Sequence, residues 1–322
     1  MSLGDIPPDA GAVRWGVVST ARINAKLLAG AREAAGVEVV AVGSRDRARG
    51  EQFAAEYGIG RVHDSYEALL ADGDVEAVYV PLPNSLHVPW SIKGLEAGKH
   101  VLCEKPLTRH AADAEAAFDA AERAGRLLME AFMWRYHPQT EELVRLAAEV
   151  APLRVVRAAF GFRLPRDDTG NVRLRADLEG GALMDVGCYR VSALRLLCGE
   201  PDRVNGELVE RAGVDGRFAG VLRFPADVLG IFDCGFDVPP RGVLEVVGEA
   251  GTLVAEDPWH GLAPRLRRDG EEITVETANP YRLELEDFSA AIRSGGEPRL
   301  GRADAVGQAR AIEMLYAAAE PS

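Results

Sequence analysis

The sequence predicts an α/β protein in two parts, a doubly wound parallel sheet followed by a second region on an antiparallel or mixed sheet. Three observations predict it. Up to about Trp134, short apolar runs alternate with Ala-rich helical segments at the spacing of βαβ units. Beyond Trp134 the pattern changes to successive strands separated by hairpin-type turns. The length, 322 residues, is more than one small core and suits two domains, placed at 1–134 and 135–322.

Taken in order, 13–18 reads as a buried strand and 22–35 as a helix stopped by Gly36. A second strand spans 37–42, and a helix over 46–57 ends at Gly58. Strands at 77–80, 100–103 and 126–129 are separated by helices at 87–97 and 109–124. Ligands of such a sheet lie at the carboxyl ends of its strands. A helix over 139–150 leads to a strand at 153–162 and a helix over 181–198. Strands then follow at 204–210, 217–224, 228–236, 242–247 and 252–256. Their expected turns are Val214-Asp215-Gly216, Pro225-Ala226-Asp227 and Glu249-Ala250-Gly251. Helices at 283–294 and 302–319 close the chain.

Composition excludes several classes. A formal net charge of −13 argues against a nucleic-acid partner, and arginines between 154 and 166 fit a solvated sheet face. No apolar run is long enough to span a bilayer, so no membrane partner is expected. The start, MSLGDIPPDAG, has no basic and apolar signal pattern and reads as a loose leader. Four dispersed cysteines without a C-x-x-C pair read as buried thiols of a reduced compartment, by default the cytoplasm. Six histidines (63, 87, 100, 110, 137 and 260) form no H-x-x-x-H pair, so no metal is expected.

Four places carry chemistry. Ser19-Thr20-Ala21 stands where a dinucleotide turn carries glycines. Small residues permit the bend, and either hydroxyl suits a phosphate oxygen, although an ordinary strand-to-helix corner fits as well. The second strand ends in Ser44-Arg45, where NAD would call for a carboxylate. A hydroxyl and a guanidinium suit the 2′-phosphate of NADP, and Asp46 suits a helix N-cap. After the third strand, Pro81-Leu82-Pro83 stiffens a loop bearing Asn84 and His87; Asn84 or Ser85 also suits a helix cap. Only four of the 37 basic residues are lysines, and Lys26, Lys93 and Lys99 read as surface residues. Lys105 differs, because Pro106 denies it a helical backbone and holds it extended or in a cis turn, with the side chain directed to the cleft. The helix from Gly181 is apolar nearly all round except for Asp185, Tyr189 and Ser192, a stripe that is either a set of satisfied core contacts or a catalytic face.

These residues together resemble the glucose–fructose oxidoreductase / inositol dehydrogenase (Gfo/Idh/MocA) family. The resemblance runs through the nucleotide turn, the Pro81-Leu82-Pro83 loop, Glu104-Lys105-Pro106, the stretch from Glu130 to Pro138, and Gly180-Gly181 through Tyr189. Many relatives have histidine where Tyr189 stands. The tyrosine points to the branch holding NADP-linked xylose dehydrogenases, dihydrodiol dehydrogenases and sugar ketoreductases.

The resemblance implies a Rossmann domain and a C-terminal α+β domain on a large open, mainly antiparallel sheet, one face of which pairs two copies. It also implies an oxidoreductase that moves a hydride between NADP(H), in preference to NAD(H), and a sugar, polyol or cyclic diol. A cofactor-sensing regulatory protein of the same fold is the alternative. Carried over by motif, the cofactor residues are Ser19, Thr20, Ala21, Arg22, Ile23, Ser44, Arg45, Pro81, Leu82, Asn84, His87, Glu104, Lys105, Trp134 and Arg135. Hydride transfer leaves a proton to be handled and an oxyanion to be stabilised, jobs that fit Tyr189 and Lys105, with Asp185 orienting the lysine or a substrate hydroxyl. Tyr136, Phe162, Arg163, Asn171 and Trp259, with Arg135, either line the substrate pocket or pack the sheet and the domain seam.

Overall fold

The computed structural model describes residues 11–165, 168, 170–260 and 263–319; the expected leader, 1–11, lies outside them except for Gly11. The chain divides into two compact units. The first holds the chain up to Thr108, then Ala112–Met133 and Pro280–Val306; the second holds Arg109–Ala111, Trp134–Asn279 and the remainder from Gly307.

The first unit is built on six strands: β1 (Val13–Val18), β2 (Val37–Gly43), β3 (Arg61–His63), β4 (Ala77–Val80), β5 (His100–Glu104) and β6 (Leu128–Ala131). All pair in parallel, in the order β3-β2-β1-β4-β5-β6. Val17, Val78, Tyr79, Val101 and Leu102 are fully buried in this sheet, which accounts for its continuous rather than alternating apolar runs. Its helices are α1 (Asn24–Glu33), α2 (Arg47–Tyr57), α3 (Tyr66–Leu70), α4 (His87–Glu96) and most of α5 (Ala111–Ala124). The strand order reverses between β1 and β4, the crevice where open α/β sheets bind ligands.

Details depart from expectation for local reasons. Helix α1 starts at Asn24, so residues 20–23 remain a turn. The N-cap position of α4 is Leu86, without a side-chain bond, so neither Asn84 nor Ser85 caps it; both lie in a 3-10 turn over Asn84–Leu86. Lys99 is buried rather than superficial, and its ammonium donates to the carbonyls of Asp72 and Val75, each at 2.7 Å.

The second unit carries helices α6 (Pro138–Glu149) and α7 (Cys188–Cys198) and strands β7 (Leu153–Arg163), β8 (Arg203–Arg211), β9 (Val214–Arg223), β10 (Leu229–Gly235), β11 (Asp237–Gly248), β12 (Gly251–Glu256), β13 (Arg265–Arg268) and β14 (Glu271–Ile273). They form one sheet, β14-β13-β12-β11-β7-β10-β9-β8, antiparallel except for the β7–β10 pair. On its outer face Arg157 pairs with Glu245 at 2.5 Å and Arg154 pairs with Glu249, as a solvated arginine-rich strand requires.

The expected turn Val214-Asp215-Gly216 is strand. The hairpin turns one pair earlier, at Ala212-Gly213, whose φ values of +57° and +82° suit a two-residue hairpin loop. Two closing helices, α8 (Pro280–Ser294) and α9 (Arg302–Ala319), complete the chain. All of α8 belongs to the first unit rather than to the expected 135–322 domain. It packs on α1 where Gly30 lies so close to Tyr281 and Arg282 that a Cβ would overlap them. Trp15 Nε1 donates to Ser289 at 3.3 Å, and Arg293 pairs with Glu76 at 2.8 Å.

Candidate active site

In the first unit the candidate residues stand at the carboxyl edge of the parallel sheet. Ser19 follows β1 with φ +81°, a left-handed conformation that glycine adopts without cost. The turn therefore keeps the backbone of a glycine turn with a serine in it. Asn24 Nδ2 fixes it by donating to the Ser19 carbonyl at 2.8 Å. The Ser19 hydroxyl and Asn24 Oδ1 are buried with no hydrogen-bond partner from the protein, as fits a turn that offers polar atoms to a dinucleotide. Thr20, Ala21, Arg22 and Ile23 form the rest of the corner, and the amide of Asn24 is turned back onto Ala21 at 3.1 Å.

At the tip of β2, Ser44 is buried and its hydroxyl donates to the Asp46 carbonyl at 2.7 Å. Two exposed arginines here are Arg45, 5.8 Å over the Tyr66 ring, and Arg49, which donates to the Thr20 carbonyl at 3.3 Å. Arg49 escapes sequence reading because it lies inside α2 with no motif around it. Asp46 is the N-cap of α2, accepting from the Arg49 amide at 3.1 Å.

Beyond β4, Pro81-Leu82 and Asn84 form a loop tied to the Lys105 turn by His87. That ring is buried, with Nδ1 2.7 Å from the Pro106 carbonyl and Nε2 2.7 Å from the Leu82 carbonyl. Burial drives its pKa down to about 4 against these two carbonyls. Both ring nitrogens face carbonyl acceptors, and the ring bridges the two loops. Glu104 is fixed from two sides: the Tyr79 hydroxyl donates to Oε1 at 2.5 Å, and the Lys105 amide donates to Oε2 at 3.2 Å. The Lys105–Pro106 peptide is cis.

In the second unit the expected helix from Gly181 opens as a π-helical turn, Leu183–Gly187, before α7 begins. Such turns widen the helix by one residue and recur at functional sites. The simple i, i+4 stripe expected of Asp185 and Tyr189 is therefore not laid out on one continuous α-helix. Asp185 accepts from Arg173 Nε at 2.6 Å, and the Asp185 carboxylate raises the pKa of the Arg173 guanidinium against its burial. Arg173 was invisible to pattern reading because it lies in a short 3-10 segment with no period. Ser192 is buried and accepts from Arg135 Nη1 at 3.2 Å.

Tyr189 sits in an aromatic cluster with Phe160 and Trp259, each 6.2 Å away between centroids. Arg190 is fully buried, 4.3 Å from the Phe160 centroid and 4.4 Å from that of Trp259, and donates to the Val186 carbonyl. Burial lowers its pKa to about 9. Of the proposed pocket residues, Tyr136 and Trp259 are buried, and Trp259 donates to the Ala159 carbonyl at 3.2 Å. Asn171 caps the 3-10 turn Val172–Leu174, and Phe162 and Arg163 are more open. Trp134 is buried against Trp259, with its Nε1 lacking a protein partner. Among the described residues no group of His, Cys, Asp and Glu is arranged to hold a metal ion.

Residues 13–132 match the oxidoreductase family with an NAD-binding Rossmann fold, and residues 146–254 match the Gfo/Idh/MocA C-terminal domain. The chain belongs to the Gfo/Idh/MocA oxidoreductase family. Within this family it is 42% identical to the D-xylose 1-dehydrogenase (NADP(+)) 2 of Haloferax volcanii, over 95% of this chain and 97% of that one. It is 33% identical to the trans-1,2-dihydrobenzene-1,2-diol dehydrogenase of Mus musculus, over 77% and 75% of the two chains. A 3-ketoreductase from Actinomadura kijaniata, solved with NADP and TDP-benzene, superposes with a TM-score of 0.89 at 31% identity, covering 96% of this chain and 98% of that one. Family membership makes this chain an NAD(P)-dependent oxidoreductase.

Proposed function

We propose that this chain is an NADP(H)-dependent dehydrogenase or ketoreductase acting on a CH–OH group, or its carbonyl, of a sugar, polyol or cyclic diol. The observation that carries the reading is the Lys105 turn. A lysine at the carboxyl end of β5 is held in place by a carboxylate that itself accepts from Tyr79 and from the lysine's own amide. The relatives named as xylose, dihydrodiol and keto-sugar oxidoreductases support the substrate class. The nicotinamide, when bound, supplies the hydride chemistry.

The chain's own residues handle the rest. Tyr189 gives or takes the proton of the reacting hydroxyl, and Lys105 supplies a cation for the developing oxyanion. Asp185, paired with Arg173, orients these groups or a substrate hydroxyl. Ser19, Thr20, Ala21, Arg22 and Ile23 receive the pyrophosphate, Arg45 the 2′-phosphate, and Trp134 and Arg135 the nicotinamide side. His87 acts through the two loops it joins. The protein works as a homodimer, and its four dispersed cysteines, none in a disulfide, support a cytoplasmic setting.

Following NADPH absorbance with keto-sugars, aldoses, polyols and cyclic diols tests the reaction, and turnover with at least one member is expected. NADPH should bind at least about tenfold more tightly than NADH, a difference of about 1.4 kcal/mol. Arg45→Ala should erode that preference and spare NADH. Equal affinity for the two cofactors in the unaltered chain would refute the assignment of Arg45.

A further inference from the structure

The Gly180-Gly181 corner cannot cap the helix that follows it. Helix N-termini leave amides without partners, and a Ser, Thr, Asp or Asn beside the first turn normally accepts one. Here the flanking residue is Ala182, with no side-chain cap. A residue distant in sequence supplies the acceptor. Asp215, buried near the start of β9, takes the Leu183 amide on Oδ2 at 2.6 Å, and its Oδ1 takes the Tyr316 hydroxyl of α9 at 2.8 Å. Gly181, at φ +124°, lies so close to Oδ1 that a Cβ would overlap it, so the corner is shaped around this carboxylate.

The same corner governs the candidate catalytic residues. The Gly181 amide donates to the Arg173 carbonyl at 2.9 Å, the Asp185 amide donates to the Gly181 carbonyl at 3.0 Å, and Arg173 closes the ring on the Asp185 carboxylate at 2.6 Å. We propose that Asp215 is a positioning residue for the reaction: by capping Leu183 it fixes the π-turn and hence the placement of Asp185 and Tyr189. This rests on the assignment of those two residues to the chemistry.

The cap is also sensitive to protonation. Both oxygens already accept a hydrogen bond, so an added proton must weaken one of them. Burial raises the Asp215 pKa to about 6, opposed by the Leu183 amide, the Tyr316 hydroxyl and the Arg109 guanidinium. The groups facing it are those three and the Cys234 thiol of β10. Arg109 in turn lies 4.2 Å over the Tyr316 ring. Lowering the pH through about 6 therefore loosens the cap.

The full-length chain is compared with Asp215→Asn and Tyr316→Phe by amide hydrogen exchange over residues 182–190, corrected for intrinsic rates, and by kcat, KM and NADPH affinity. In Asp215→Asn this segment should exchange about tenfold faster at pH 7.5, the effect of about 1.4 kcal/mol. Strands of the parallel sheet should be unchanged. The unaltered chain should lose protection there below about pH 6, and Asp215→Asn should not. Turnover should fall about tenfold in kcat, with KM and NADPH affinity within about twofold. Tyr316→Phe keeps the ring against Arg109 and should shift exchange in the same direction by less, which preserves the test if Asp215→Asn does not fold. Unchanged protection of 182–190 in both variants overturns the proposal. So does loss of protection spread evenly through the chain with weakened NADPH binding, which marks a general stabilising role. The exchange result decides the cap even if no substrate turns over, an outcome that would count against the proposed function alone.

Discussion

Tyr189 and Lys105, proposed to act as one unit, are each poor proton-transfer groups alone. Free phenol and ammonium both titrate near pH ~10. In the proposed proton-transfer unit, a cation supplied by Lys105 would favour the phenolate form of Tyr189. Tyr189→Phe keeps the ring that meets Phe160 and Trp259, so NADPH affinity should hold while kcat falls by about 10²–10⁴. Lys105→Ala should cost at least as much, and the double variant far less than the product of the two effects. Near-normal turnover of a folded, NADPH-binding Tyr189→Phe protein would make the tyrosine a core residue. Another residue, Glu284 of α8, shows what burial alone does. It is fully buried with both carboxyl oxygens lacking a hydrogen-bond partner, and burial first, then the charges of Glu104 and Asp287, push its pKa well above 4.5. The folded chain thus keeps a proton that the unfolded chain releases near pH 4.5, and stability falls as pH rises beyond that value, by up to about 1.4 kcal/mol per pH unit. Glu284→Gln cannot titrate. Thermal melts at pH 5 and pH 8 should show the variant gaining on the unaltered chain at the higher pH; an equal difference at both values would mean that Glu284 does not hold its proton.

At the scale of elements, the tip of β2 sets a helix-capping aspartate beside the arginine proposed to receive the 2′-phosphate. Asp46 caps α2 through the Arg49 amide, so Asp46→Ala should lower stability by about 1 kcal/mol in denaturant unfolding and leave the NADPH-to-NADH ratio where it was. A changed ratio would put Asp46 in the cofactor site. The strands and helices of the parallel sheet were legible because burial on both faces leaves continuous apolar runs, and Gly58 marks a left-handed helix end. Short edge strands such as β3 and β14 leave three residues each and no period to read. Asp215-Gly216 has turn composition, yet Ala212-Gly213 takes the turn, because the Asp215 carboxylate is committed to Leu183 and Tyr316. The π-turn was hidden for a related reason: four of its five residues are buried, and the lone polar Asp185 leaves no second point from which a one-residue widening could be noticed. Lys105 and the tyrosine helix were legible as motifs, whereas Arg173 and Asp215 act through tertiary contacts that no spacing records.

For the whole molecule, the sequence placed a helix over 283–294 but not its partner: α8 returns to α1 and β1, a tertiary contact that no spacing records. The same limit applies to the large sheet, where the pattern leaves a second face to be explained. Register places Val221 beside Ile231, and Leu229 between Arg223 and Val155, with Val247 next to Val155 on the far strand. Val221 and Leu229, on neighbouring strands of this face, are 43% and 37% exposed. Arg157 and Glu245 lie within it as an ion pair, so the face offers both apolar area and fixed charges to a symmetric copy. A homodimer through this face is therefore expected, and sedimentation velocity at micromolar concentration should give twice the chain mass. Replacing Val221 and Leu229 together by glutamate puts two charges where the copies would meet. The dimer should weaken by at least about a hundredfold, about 2.7 kcal/mol, because an unpaired buried charge costs more than the lost apolar contact. NADPH affinity should stay within about twofold, since both side chains lie on the second unit's sheet and not on the dinucleotide turn. A chain that sediments as a monomer before any substitution, or a double variant that remains dimeric, would move the interface elsewhere.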